Sequence, residues 1–287
     1  MPESAHPTVD IGGVPFQVSD LRDAVDRTIG FASQHGTDGV AVRLANAYCV
    51  TMANDRPDYL DLLRSRGINF PDGAPVAWAM RRSGAEDSGR VRGPSFFTET
   101  LDRSQGTGIR HYFFGTDASV LDELIARVRV QYPEAVVVGA SAPDFRSDPA
   151  ELAAQLPSTI TKETVDIVWV GLGSPKQDFV ADLIAAERGV LTAGVGAAFD
   201  FVAGSVREAP KFVQDSGLEW LFRFASEPRR LWRRYLIGNV RFLRVVLPGL
   251  RANRRAAAVA EPAPAEPMPV PVMSTDTGSI PVLRRAF

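Results

Sequence analysis

Short, largely apolar runs recur along the chain, at Val40–Leu44, Ile109–Gly115, Ala135–Gly139, Val165–Gly171 and Val190–Val195. Runs of this length, bounded by glycine or polar residues, predict strands buried on both faces. Between them the period changes, and Ala118–Tyr132 and Pro175–Arg188 carry apolar residues at helical spacing. Apolar strands alternating with such helices predict an α/β fold: a Rossmann-like, mostly parallel sheet with helices on both faces. In sheets of this kind ligands sit where strands end and helices begin.

Past residue 212 the pattern is different. Glu227–Leu247 reads EPRRLWRRYLIGNVRFLRVVL. At about 100° per residue, Arg230, Arg233, Arg234, Arg241 and Arg244 share an arc of roughly 100°. Trp232, Tyr235, Leu236, Phe242, Leu243 and Val246 lie opposite, and Ile237 interrupts the charged face. This predicts an amphipathic helix whose apolar side faces a membrane or the core. From about Glu261 the chain is rich in Pro, Ala and Ser with little aromatic content, the composition of a disordered tail. Three parts are therefore expected: an α/β core over 1–212, a helical Arg-rich appendage over 213–255, and a Pro/Ala-rich tail over 256–287. Deleting everything after about residue 210 is expected to leave a folded core without activity.

Charge sharpens this division. The 287 residues carry a net charge of −2, yet Gly217–Arg255 holds ten Arg against two Glu. That is a local charge of about +8, leaving about −10 elsewhere. A basic segment on an acidic body points to a phosphate-rich ligand or an anionic membrane surface. All the basic residues there are Arg, which grips phosphate oxygens bidentately. A pI near 6.0 argues against nucleic acid. Cys49 is the only cysteine, which excludes an internal disulfide and a cysteine metal site. No window approaches about 18 uninterrupted apolar residues, and the first twenty residues lack a signal-peptide pattern. The expectation is a cytoplasmic protein, peripheral on the inner face of the cell membrane.

Three loops carry candidate chemistry. In VDIVWVGLGSPKQDFV a strand runs into Gly171-Leu172-Gly173, with Ser174 suited to cap a helix and Pro175 to open it. Glycines allow a ligand to approach the backbone, and free N–H groups at a helix start attract phosphate. Lys176 and Gln177, in the first turn, could reach a diphosphate or a sugar hydroxyl. Lys176 stands where a dinucleotide fingerprint requires its third glycine. A second loop, Gly194-Val195-Gly196, leads to Asp200, which either binds a base or ribose or complements the helix dipole. A third, Gly115-Thr116-Asp117, favours helix capping by Asp117. Asp72, in Phe70-Pro71-Asp72-Gly73, reads first as a turn residue, with a general base as the alternative. There is no Asp-x-Asp to clamp a metal on a nucleotide diphosphate, and His6, His35 and His111 lack metal-ligand spacing.

The strings GLGSPKQD, GVGAAFDFVAG and above all GLEWLFRFASEPRRLWRRYL resemble the WecG/TagA/CpsF bacterial glycosyltransferases (glycosyltransferase family 26), over roughly residues 8–245. Asn46, the PDG at 71–73 and the RVRG at 90–93 follow the same order. The resemblance implies a metal-independent, inverting transferase that moves a sugar (N-acetylmannosamine-type, uronic acid or hexose) from a UDP donor to a polyprenyl-diphosphate-linked sugar acceptor. Its product would enter a wall polymer, capsule or exopolysaccharide. UDP-sugar is then a substrate, with no cofactor and no metal, and a homo-oligomer stays open. By resemblance Asp72 is the general base. Asn46, Gly115, Gly171, Gly173, Lys176, Gln177, Gly196 and Asp200 surround the donor. Arg223, Arg230 and Arg233 of the appendage reach the diphosphates. Three sites depart from the pattern: Leu44 replaces Thr, Pro94-Ser95 replaces a small residue and Asp, and Glu208 replaces Arg, with Arg207 beside it as a substitute. Two competing readings are a non-catalytic membrane-docking protein of the same fold and another nucleotide-dependent α/β enzyme.

Overall fold

A computed structural model describes residues 7–34, 39–210, 213–214, 219–226 and 238–259. Six parallel strands form the central sheet: β3 (Val40–Ala45), β4 (Ile68–Pro71), β5 (Arg110–Gly115), β6 (Val136–Ser141), β7 (Ile167–Gly171) and β8 (Leu191–Gly194). Their order is β4-β3-β8-β7-β5-β6. Each expected strand is present within two residues at either end. An antiparallel hairpin, β1 (Thr8–Ile11) and β2 (Val14–Gln17), precedes them and turns through Gly12-Gly13.

The helices are α1 (Leu21–Ser33), α2 (Ala47–Asp55), α3 (Pro57–Arg64), α4 (Ala74–Arg82), α5 (Gly93–Arg103), α6 (Ala118–Gln131), α7 (Pro149–Ala153), α8 (Lys176–Arg188), α9 (Ala198–Ala203), α10 (Glu219–Ser226) and α11 (Gly238–Val259). Alternate strand residues serve opposite layers, as the two-residue strand period requires. Phe113 and Trp169 join the layer built with α1, α5, α6 and α9. Tyr112, Phe114, Val168 and Val170 face α7 and α8. Phe97 packs edge-on against Trp169, with ring centroids 4.9 Å apart. His111 is enclosed beneath these rings, receives the Trp169 indole N–H at 3.1 Å, and is pushed down to about 4 by burial. It is a neutral core histidine.

The appendage helix does not stand apart from this body. Phe242, Val246 and Leu250 recur every fourth residue of α11, so they share one face. All three are buried in a cluster with Ile11, Val50, Val76 and Met80. Gly12, at φ +64°, makes room for the helix, because a Cβ there would stand 2.7 Å from Val245 Cγ1. Arg241 pairs with Asp55 of α2. The Phe242 side of the basic helix thus faces the core, while Val240 and Leu243 are exposed. The helix starts at Gly238 and continues past Leu247 to Val259. Arg230, Trp232, Arg233, Arg234, Tyr235 and Leu236 lie outside the described residues, as does the tail from 260. Among the described residues no helix is long and apolar enough to cross a membrane.

Candidate active site

All six parallel strands end on one edge, and the sheet order sets their following loops in a row. From one side to the other come Asp72, Asn46, Gly194–Gly196, Gly171–Gly173, Thr116 with Asp117, and Pro143 with Phe145. At about 4.8 Å per strand the row spans roughly 24 Å. A cavity of about 640 Å³ runs along it and is lined by residues from every one of these loops. That size suits a small-molecule ligand. The outer connections β3-to-β4 and β5-to-β6 run toward opposite edges, so the cavity lies over a crevice of the kind that binds ligands in open α/β sheets.

Asp72 occupies one end of the row. Its backbone N–H donates to the Ala45 carbonyl at 3.0 Å, extending the β3–β4 ladder, and Val91 donates to the Pro71 carbonyl at 2.8 Å. Gly73 then turns the chain into α4 at φ +93°. Asp72 is therefore flanked by Asn46 on one side and Arg90–Arg92 on the other. Asn46 caps α2, its Oδ1 accepting from the N–H groups of Tyr48 and Cys49 at 3.0 and 3.3 Å. The cap uses the oxygen only, so the Asn46 amide protons remain for other partners.

Gly171, Gly173 and Gly196 line the middle of the cavity. Phe199 packs on Gly171 so closely that a Cβ there would be 2.4 Å from its ring. Gln177 is 3% exposed and packs between the two glycine loops, its Nε2 3.1 Å from where a Cβ on Gly194 would stand. Its Oε1 accepts the Gly173 N–H at 3.0 Å, and its Nε2 donates to Ser174 Oγ at 3.2 Å. Ser174 is not the helix cap expected from sequence: Pro175 holds that position, after a cis peptide bond, and α8 begins at Lys176. The Ser174 hydroxyl instead accepts from Gln177 Nε2 and favours the charge of the buried Asp178. Lys176 points to the rim, 4.4 Å from the ring centroid of Phe145, and donates to the Arg146 carbonyl at 3.2 Å. Phe145 is an exposed aromatic at the far end of the row. Asp200 lines the cavity from the first turn of α9.

Gly115 does not line the cavity. At φ +126° it lies against the end of β7, where a Cβ would meet the Gly171 carbonyl carbon and oxygen at 2.8 Å. Its neighbours Thr116 and Asp117 line the wall instead. Thr116 holds φ +57°, a left-handed conformation that a β-branched residue rarely adopts and that marks functional loops. Asp117 precedes α6 but makes no side-chain cap hydrogen bond, contrary to the capping role expected of it.

Sequence reasoning missed the charged wall beside Asp72. Glu219, at the start of α10, bonds Arg90 and accepts from Arg92 Nε at 2.9 Å. Arg92 also lies 2.6 Å from Glu208 and donates to Ser95 Oγ at 3.3 Å. Desolvation opposes the Glu219 charge, but Arg92 and Arg90 together hold its carboxyl below the usual range. Two of the three departures from the family pattern, Ser95 and Glu208, thus meet at Arg92. The third, Leu44, is buried, its Cδ1 3.5 Å from where a Cβ on Gly93 would stand. Arg223 falls within α10, with its side chain outside the described residues, and Arg230 and Arg233 lie wholly outside them. Among the described residues no group of three or more His, Cys, Asp or Glu could hold a metal ion.

The sequence model of the Glycosyl transferase WecG/TagA/CpsF family matches residues 9–256. The N-acetylglucosaminyldiphosphoundecaprenol N-acetyl-beta-D-mannosaminyltransferase of Bacillus spizizenii strain W23 is 30% identical over 221 residues, covering 76% of this chain and 82% of that protein. The enzyme of the same name from Bacillus subtilis strain 168 is 27% identical over 233 residues, 80% of this chain and 87% of its own.

Proposed function

The chain belongs to the WecG/TagA/CpsF family of glycosyl transferases, and from that premise we propose that it transfers an N-acetylmannosamine-type sugar from a UDP donor to a polyprenyl-diphosphate-linked N-acetylglucosamine. The observation that carries this reading is the row of loops with Asp72 at one end, the glycine loops in the middle and an exposed aromatic at the other. A nucleotide sugar laid along it would set its base toward Phe145 and Asp200 and its diphosphate over Gly171–Gly173. The sugar would then lie near Asn46 and Asp72.

The chemistry is a single displacement with inversion. Asp72 takes the proton of the acceptor hydroxyl as that oxygen attacks the anomeric carbon. The UDP leaving group gathers negative charge, which the helix start at α8 and the guanidinium groups of the appendage stabilise. Arginines Arg223, Arg230 and Arg233 are proposed for this work in place of a metal ion. The same basic segment suits the anionic inner face of the cell membrane, where a polyprenyl acceptor resides. Arg92, held between Glu208 and Glu219, gives the sugar-side wall a charge pattern of its own.

The experiment is transfer of labelled N-acetylmannosamine from UDP to a short polyprenyl-diphosphate-N-acetylglucosamine with a chelator present. Product with undiminished rate and inverted anomeric configuration is expected. Failure to transfer any UDP-hexosamine or UDP-hexose, together with failure to bind UDP, would overturn the reading.

A further inference from the structure

Beneath the glycine loops lies a carboxylate that the displacement itself does not use. Asp178, in the first turn of α8, is 2% exposed, and its Oδ2 accepts the hydroxyl of the fully buried Tyr59 at 2.6 Å. Ser174 and Gln177 from close by, and Arg43 through space, favour its charge. Arg43 itself is committed to Asp182 at 2.5 Å and to the Arg66 carbonyl at 2.9 Å. The carboxylate also presses on the second loop, for a Cβ on Gly194 would stand 3.3 Å from Asp178 Oδ1.

An ionised carboxylate accepts hydrogen bonds and donates none. Each group turned toward Asp178 must therefore present a proton, and for Gln177 this decides which end of the amide points inward. Nε2 faces Asp178 and Ser174. Oε1 is then turned toward the loops, where it accepts the Gly173 N–H and lies 3.4 Å from the Cβ position of Gly196. Gly173, Gln177 and Gly196 all line the cavity. An amide oxygen has two lone pairs, and Gly173 uses one. The other repels a phosphate oxygen and attracts a hydroxyl.

We propose that Asp178 is a positioning residue that locks the Gln177 amide with its oxygen toward the cavity. Position 177 is thereby an acceptor for a hydroxyl of the donor sugar and not a donor to the diphosphate. The inference rests on the nucleotide-sugar reading of the cavity and refines it.

Calorimetric titration with UDP and with UDP-N-acetylmannosamine near pH 7.5 separates the two. Asp178→Asn keeps the volume but can donate as well as accept, so the amide is free to turn. It is expected to bind UDP within about twofold of wild type and the UDP-sugar about tenfold more weakly, the worth of one hydrogen bond. Gln177→Met, which removes the amide and keeps the buried carboxylate in place, is expected to give the same split. Tyr59→Phe disturbs the same buried cluster but leaves the carboxylate, and so should keep the wild-type preference. Equal loss of UDP and UDP-sugar affinity in Gln177→Met would make position 177 a diphosphate donor and overturn the inference. So would a Tyr59→Phe variant that loses the preference as fully as Asp178→Asn. Wild-type protein that binds neither ligand would overturn the nucleotide-sugar reading, and this inference with it.

Discussion

Truncating Phe242 to alanine should destabilise the whole protein and not merely loosen an appendage. The ring is 1% exposed, and Val246 and Leu250 of the same face are 3% and 8% exposed. They pack on Ile11 of the hairpin, Val50 of α2 and Val76 of α4. A buried Phe→Ala change typically costs about 3–5 kcal/mol, transfer and cavity together. At roughly 2–4 °C per kcal/mol for a chain of this size, the melting temperature should fall by about 6–20 °C. Removing all of α11 withdraws three such side chains, at about 1.5–3 kcal/mol each as an upper estimate. The sum approaches the whole stability of a typical domain, about 5–15 kcal/mol. A chain ending before Gly238, or near residue 210, should therefore unfold or aggregate, against the expectation from sequence that the core stands alone. Thermal and urea denaturation followed by circular dichroism would measure this. Leu243→Ala, on the exposed face of the helix, is the control and should change stability by less than about 0.5 kcal/mol. If Phe242→Ala melts with wild type, or the truncated chain melts cooperatively at the same temperature, the packing argument fails.

Three further outcomes follow from the site. Gly115→Ala would force a Cβ to within 2.8 Å of the Gly171 carbonyl at φ +126°, so about 2 kcal/mol of stability should be lost, with weaker UDP binding by calorimetry. Burial raises Asp178 from 3.8 to about 6, so between these values the folded state holds a proton that the unfolded state has released. Stability from this group therefore falls as pH rises through that window, by about 3 kcal/mol in all. Asp178→Asn removes the effect, and urea titrations should show the variant gaining on wild type between about pH 4 and pH 7.5. Glu219→Gln leaves Arg90 and Arg92 without their shared carboxylate and should cost about 3 kcal/mol. Because its carboxyl is held below the usual range, the Glu219 contribution is present above the ordinary carboxylate pKa and lost as pH falls, which denaturation at pH 7 and below pH 4 would reveal.

The five expected strands are legible because most of their positions are apolar, as the nearly complete burial of β3, β5, β7 and β8 requires. β4 was not, since Ile68–Pro71 is short and includes Asn69, whose side chain donates to the carbonyls of Pro15 and Leu63. A polar residue satisfied from the hairpin breaks the apolar run that would have announced the strand carrying Asp72. Glycines after strands were visible, but sequence does not distinguish room for a ligand from room for another backbone. Gly173 proved to be at the cavity and Gly115 against Gly171. The Arg90–Glu219–Arg92 wall joins residues more than 120 positions apart, and nothing local marks it. Helical periodicity identified the apolar side of the last helix, including Phe242, but could not say whether lipid or protein covers it.

The most direct test of the central claim is the rate of sugar transfer by wild type and Asp72→Asn side by side, in chelator, with UDP affinity measured on the same samples. General-base catalysis contributes about 10²–10⁴ in rate. A loss of that size in kcat is expected for the variant, with its Kd for UDP changed by less than about threefold. Wild-type turnover in Asp72→Asn, or no transfer by either protein, would contradict it.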